Sequence, residues 1–220
     1  MDVALKLLRH VEFYKQPRVI EELRVLHQTL QQINNSQREM KFCALGAQAA
    51  KSGESLLYKY KVANRLSEDV FLHKTDLPEF IDRKDLMLVF IDDLIGTGDE
   101  AIEAWEDVQG VINEENPVYL AVLCATEEGI RRVDDETRGR VSVVSNTSLL
   151  DDRKMFSDFN FAFTPQEKAI LRTYCQKAGS EPEGYGGCQL AVIFYYRAPD
   201  NCISILRSNN EWKGLFPRNP

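Results

Sequence analysis

The chain has 220 residues, 44% of them hydrophobic and 28% charged, with a formal net charge of -7. That suits one soluble globular domain, or one domain with a helical extension, and the length is ample for a core. The acid excess argues against direct nucleic-acid binding or an anionic-membrane surface as the main role; no apolar run reaches about 18 residues and the start lacks a charged-then-apolar leader, so no membrane span and a cytoplasmic location are expected.

In chain order, Val3, Leu7, Leu8 and Val11 space a short amphipathic helix within Asp2 to Phe13. Pro17 suits the first turn of a second helix, with Ile20, Leu23, Leu26, His27, Leu30 and Ile33 at helical spacing and Asn34-Asn35-Ser36 ending it. Residues 1–36 are read as an N-terminal helical extension and 37–220 as the main domain. His27 on that stripe reads as a satisfied core histidine. The five cysteines (Cys43, Cys124, Cys175, Cys188, Cys202) are widely spaced, and no Cys-x-x-Cys occurs. Reduced, mostly buried thiols are expected rather than a zinc site.

Lys41 to Gly46 reads as a strand, followed by a loop and a helix through Leu57, Tyr60 and Ala63. Gly46, Lys51, Ser52 and Gly53 supply one cation, one hydroxyl and flexible backbone at a helix start, which are donors for an anion; the spacing is not that of a Walker loop. Val70 to His73 reads as a further short strand. Then come six apolar residues, Leu86 to Ile91, fitting a strand buried on both faces of a parallel sheet. They end in Asp92-Asp93, followed by Leu94, Ile95 and Gly96-Thr97-Gly98, then a helix with Ala101, Ile102, Trp105 and Val108 on one face.

Ligands of open α/β sheets sit at the C-terminal ends of the strands. Asp92 and Asp93 can accept hydrogen bonds from a sugar diol or hold hydrated Mg2+. Glycines allow close backbone approach, and a helix N-terminus offers N–H groups to phosphate. Carboxylates for a ribose beside amides for its phosphate spell a ribose-phosphate site. Asp99 and Glu100 in a first helical turn also suit the helix dipole, worth about 0.3–1 kcal/mol each.

Pro117 to Cys124 reads as another buried strand, Thr126 to Val133 as its helix, and Val141 to Ser145 as the next strand. This alternation argues for a parallel doubly wound sheet. Thr164-Pro165-Gln166-Glu167 is a helix opening with a capping box, and Ala169, Ile170, Thr173 and Tyr174 supply the expected inner face. Residues 179–187 form a loop, Cys188 to Tyr196 a strong strand, Pro199-Asp200-Asn201 a turn, and Ile203 to Leu206 a continuation. Trp212, Leu215 and Phe216 read as anchors of the C-terminus.

Phe90-Ile91-Asp92-Asp93-Leu94-Ile95-Gly96-Thr97-Gly98 resembles the PRPP-binding loop of type I phosphoribosyltransferases, whose usual form is four apolar residues, two acids, two apolar residues and Thr-Thr-Gly-x-Thr. Gly96 replaces the first Thr here, and Asp99-Glu100 stands where a small residue and a Thr or Ser are usual. The resemblance implies an α/β fold with a doubly wound, mainly parallel sheet, an N-terminal helical extension and a C-terminal hood. It implies that Asp92 and Asp93 are the catalytic and metal-binding pair, holding the ribose 2- and 3-hydroxyls with Mg2+ brought in with PRPP. Ile95, Gly96, Thr97, Gly98 and Asp99 would hold the 5-phosphate, and Gly46, Lys51, Ser52 and Gly53 the pyrophosphate. A nucleophile would attack the anomeric carbon as pyrophosphate leaves.

Gly184-Tyr185-Gly186-Gly187-Cys188-Gln189, Pro199-Asp200-Asn201 and Trp212-Lys213-Gly214-Leu215-Phe216-Pro217-Arg218 resemble, more narrowly, a bacterial phosphoribosyltransferase-like family of conflict and anti-phage systems, including retron systems. This implies a defence effector or accessory acting on PRPP or a nucleotide, with a reverse transcriptase or toxin as partner. Two rivals stay open: hydrolysis, with water attacking the same carbon, and a catalytically inactive module of the same fold serving a protein or nucleic-acid complex. Asp99 and Glu100 favour the module.

Overall fold

The computed structural model describes residues 2–45 and 52–217. In chain order the elements are α1 (Val3–His10), β1 (Glu12–Tyr14), α2 (Gln16–Ile33), β2 (Glu39–Ala44), α3 (Ser52–Asn64), β3 (Leu86–Ile95), α4 (Asp99–Val108), β4 (Val118–Thr126), α5 (Glu127–Glu136), β5 (Val141–Leu149), α6 (Pro165–Ala178), β6 (Val192–Phe194) and α7 (Ser204–Arg207). The chain divides into two compact units, residues 20–148 and residues 1–19 with 149–220. The expected domain boundary after residue 36 lies inside the first of these.

In the unit of residues 20–148, four strands lie in the order β2-β3-β4-β5. β2 and β3 are parallel, with Cys43 opposite Phe90; β3 and β4 are parallel, with Phe90 opposite Leu120. All ten residues of β3 are buried, as its apolar run demands of a central strand. One sheet face packs Cys43, Leu88, Phe90, Leu120 and Val122 with Ala101, Ala104 and Trp105 of α4 and Val133 of α5. On β2, Phe42 meets Tyr60 of α3 at 5.1 Å and His27 of α2 at 6.0 Å between ring centroids. His27 Nδ1 lies 2.6 Å from the Tyr60 hydroxyl, so it is the satisfied core histidine that its stripe predicts.

The strand expected at Val70–His73 is a correction. Glu68–Val70 forms a 3-10 turn, and only Phe71 bridges to Phe42, in parallel, with Leu72 N donating to Phe42 O at 2.9 Å. His73 N then turns to the Asp76 carboxylate at 3.0 Å and opens a second 3-10 turn, Lys74–Phe80. Extended structure ends there because a local side-chain acceptor takes the next donor. The bridge still fixes the topology. The chain steps from β2 to one side, at Phe71, and then to the other, at β3, β4 and β5. The reversal falls between β2 and β3, so the crevice of this doubly wound sheet lies at their C-terminal ends.

In the other unit, β1 and β6 pair in parallel, Glu12 with Val192 and Tyr14 with Phe194. The N-terminal helix therefore stops at His10, short of the expected Phe13, because strand pairing claims Glu12–Tyr14. The capping box at α6 forms as expected: Glu167 accepts the Thr164 N–H at 2.8 Å, and Thr164 Oγ1 accepts the Glu167 N–H at 3.3 Å. The inner face of α6 is Lys168, Leu171, Cys175 and Ala178, not Ala169, Ile170, Thr173 and Tyr174; Ile170 and Tyr174 are exposed. Lys168 misleads the pattern: its stem is buried, and Nζ donates to Ser157 O at 2.6 Å.

The strand expected over Cys188–Tyr196 shrinks to Val192–Phe194. Gln189 takes a left-handed φ of +56°, and Phe194 turns back to hydrogen-bond Arg197 O at 3.0 Å. Ile203–Leu206 does not continue a strand; Ser204–Arg207 is the short helix α7. Phe216 N donates to Leu206 O at 2.7 Å and its ring stacks on Phe13 at 5.7 Å, while Trp212 meets Tyr174 at 6.2 Å. All five cysteines are buried, and none forms a disulfide among the described residues. Among the described residues no helix is long and apolar enough to cross a membrane.

Candidate functional site

Strand β3 runs through both acids. Asp92 is 5% exposed and Asp93 not at all. Successive strand residues project to opposite faces, and the two carboxylates act electrostatically on different lysines. Burial lowers the pKa of Lys59, on α3, while Asp93 pulls it back up. Burial likewise lowers that of Lys74, with Asp107, Cys43, Glu100 and Asp92 opposing. The Cys43 thiol is itself pushed up to about 12 by burial, so it carries no charge near neutral pH. Asp92 Oδ1 accepts the N–H of Asp93 at 2.8 Å.

Lys74 differs from Lys59 in one respect. Lys59 Nζ donates to Ser55 Oγ at 2.5 Å. Lys74 Nζ is shut off from solvent and has no hydrogen-bond acceptor among the described residues. A buried ammonium without an acceptor is costly. Neither lysine stands in a recognisable sequence motif. Lys59 looks like any solvated helix residue, and Lys74 sits in a turn with no motif around it.

Beyond Ile95 the chain turns under tight constraint. Thr126, the N-cap of α5, donates its hydroxyl to Gly96 O at 2.5 Å and accepts the Gly129 N–H at 2.9 Å. A Cβ on Gly129 would lie 2.7 Å from Ile95 Cγ2 and closer still to Gly96 O. Gly98 caps α4 at φ +87°, and a Cβ there would lie 3.0 Å from Gly129 O. A left-handed residue against a neighbouring backbone calls for glycine.

The two unusual acids of this loop behave differently. Thr97 Oγ1 donates to Asp99 Oδ2 at 2.7 Å. Arg132 of α5 pairs with Asp99 Oδ1 at 2.8 Å and donates to Thr97 O, also at 2.8 Å. The charge of Asp99 is thus opposed inside the loop. Glu100 is exposed and faces the field of Lys74.

Asp92, Asp93, Gly96, Thr97, Gly98 and Asp99 therefore gather where β3 passes into α4, on the C-terminal side of the sheet. Ile95 is 3% exposed and packs in the core, leaving only its backbone to serve a ligand. Ser52 and Gly53 open α3, in the chain connection that follows β2. Gly46 and Lys51 lie outside the described residues. No group of three or more His, Cys, Asp or Glu able to hold a metal occurs among the described residues. A cavity of about 10 Å³ lined by Leu45, Phe90, Ala101, Ala104, Trp105, Leu120 and Val141 is apolar and no larger than one water.

The narrower motif resolves into one backbone assembly of the other unit. Tyr185 N donates to Asp200 O at 2.8 Å, Leu190 N to Asn201 O at 3.2 Å, and Asn201 Nδ2 lies 3.4 Å from Cys188 Sγ. Gly184, at φ +81°, leaves no room for a Cβ against Asn201. Contact between the Gly184–Gln189 and Pro199–Asn201 stretches explains why those residue types stand together.

The PRTase-CE family model matches residues 1–218. The chain belongs to the PRTase-CE family. PRTase abbreviates phosphoribosyltransferase, and the α/β fold is phosphoribosyltransferase-like. Among solved structures, the chain is similar to the Helicobacter pylori xanthine-guanine-hypoxanthine phosphoribosyltransferase, at 14% identity and a TM-score of 0.42 over 64% of this chain and 84% of that one. It is also similar to orotate phosphoribosyltransferase from Aeropyrum pernix, at 16% identity and a TM-score of 0.35 over 58% and 69%. No curated protein matches this PRTase-CE chain.

Proposed function

We infer that this PRTase-CE protein binds a ribose phosphate, either PRPP or a nucleotide, and acts at the ribose anomeric carbon. The observation that carries the reading is the pair of adjacent, buried carboxylates, Asp92 and Asp93, near the end of the central strand at the topological reversal, two residues before the strand ends at Ile95 and gives way to a glycine-shaped helix start. Asp92 and Asp93 accept the two hydroxyls of the ribose, Asp93 only once the strand end that buries it opens. Burial lowers the pKa of Lys59 and of Lys74, and Asp93 opposes this at Lys59 while Asp92 is among the groups that oppose it at Lys74. The backbone of residues 96–98 and the first turn of α4 offer N–H donors to the 5-phosphate.

Two carboxylates, in no group of three or more His, Cys, Asp or Glu among the described residues, fit Mg2+ whose shell is completed by substrate oxygens and water. Mg2+ bound there would offset the charge of departing pyrophosphate. The fixed negative field of Asp92 and Asp93 favours the cationic sugar of an oxocarbenium-like transition state. The role implied by the tail motif, a bacterial defence effector or accessory with a reverse transcriptase or toxin partner, goes with this reading.

One observation favours the binding module as a second reading: the Thr97 hydroxyl is already engaged by Asp99. Phosphorus NMR of Mg-PRPP with the protein separates the readings. Ribose 5-phosphate and pyrophosphate forming without an acceptor mark hydrolysis, and pyrophosphate forming only with an added base marks transfer. Shifted or broadened PRPP signals without products mark a module. Unchanged PRPP signals at millimolar protein overturn the ribose-phosphate reading.

A further inference from the structure

We propose that the Asp99 carboxylate is a resident competitor for phosphate: it holds the Thr97 hydroxyl of the loop and the Arg132 guanidinium reaching the loop from α5, and a ribose-borne phosphate must displace it to enter. This rests on the ribose-phosphate reading of the site. The geometry is a three-point latch. Asp99 Oδ2 takes the Thr97 hydroxyl at 2.7 Å, Asp99 Oδ1 takes Arg132 Nη2 at 2.8 Å, and Arg132 Nη1 is tied to Thr97 O at 2.8 Å. A carboxylate and a phosphate ask for the same partners, charged planar donors and hydroxyls. Both cannot hold them together, because two anions at contact repel.

The latch is only partly shielded, with the side chains of Arg132 and Asp99 35% and 33% exposed. It can therefore open without unfolding the core. Lys74 marks the same neighbourhood independently. Its Nζ is buried with no acceptor among the described residues, and Asp107, Cys43, Glu100 and Asp92 act on it electrostatically. Lys74 near the acids thus lacks an acceptor while the Thr97 hydroxyl and Arg132 are already taken. The consequence is selectivity by size. A ligand that also engages the acids through its diol gains enough to open the latch, whereas inorganic phosphate does not.

Calorimetric titration with ribose 5-phosphate, ribose and inorganic phosphate tests this on wild type, Asp99→Asn and Asp99→Ala. The expected result is ribose 5-phosphate binding about tenfold tighter in both variants, from loss of one opposing charge near the phosphate. Ribose affinity stays unchanged, and the gain disappears when Arg132→Gln is added to Asp99→Asn. Equal or weaker ribose 5-phosphate binding in folded Asp99 variants, with wild type still binding, overturns the competitor and leaves the site reading standing. Absence of ribose 5-phosphate binding in wild type and variants alike overturns both.

Discussion

Thr126 gives its hydroxyl to the Gly96 carbonyl at 2.5 Å while the same oxygen accepts the Gly129 N–H at 2.9 Å. One side chain therefore caps α5 and fixes the loop that follows the paired acids. Thr126→Val keeps the shape and removes both bonds. It costs about 1–2 kcal/mol of stability, the worth of a lost cap, and leaves a buried carbonyl unsatisfied. Ribose 5-phosphate binding weakens with it, while Thr126→Ser restores both. Denaturant unfolding and calorimetry on the two variants check this.

Gly129 has no room for a side chain because its would-be Cβ falls on Gly96 O and Ile95 Cγ2. Gly129→Ala sits in a helix, where alanine is ordinarily favoured by up to about 1 kcal/mol. The clash reverses that sign, and overpacking of this kind costs about 1–3 kcal/mol. A fall in unfolding midpoint together with loss of ligand binding is expected. A rise in midpoint would show that the loop yields freely.

Lys74 is expected to trade stability for binding. Lys74→Met removes a buried ammonium that lacks an acceptor, and relief of about 1 kcal/mol raises Tm by about 2–4 °C in a protein of this size. Affinity for a ribose phosphate falls in the same variant. The pH dependence has a definite sign. Burial lowers the folded-state pKa below 10.5, so between the folded value and 10.5 the unfolded chain holds more protons, and wild type gains stability as pH rises through that window. The advantage of Lys74→Met is therefore greatest below the window and shrinks as pH approaches 10.5. Thermal melts across pH for both proteins read this out.

The parallel core was legible because buried strands write themselves as apolar runs: Leu86–Ile91 and Val118–Cys124 allow little else. The acidic loop was legible because two aspartates directly after such a run need a reason. Elements defined by a distant partner were not legible. Glu12–Tyr14 looks helical until β6 pairs with it, and Val70–His73 looks like a strand until Asp76 takes the His73 N–H. The inner face of α6 was misjudged because Lys168 buries its stem, which a polarity pattern reads as solvent. The placement of Lys59 and Lys74 was not legible, since nothing in the sequence around either says which carboxylate it will act on. Arg132 was missed for the same reason: it lies in a different helix from the loop it latches.

The central claim is that Asp92 and Asp93 hold a ribose, and calorimetric titration of Mg-PRPP into wild type and Asp92→Asn/Asp93→Asn tests it most directly. Circular dichroism and a thermal melt establish that the variant is folded. The account predicts saturable binding to wild type and a loss of about 100-fold or more in the variant, the worth of two charge-assisted hydrogen bonds. Saturable binding of equal affinity in the two proteins, or no binding to wild type, contradicts it.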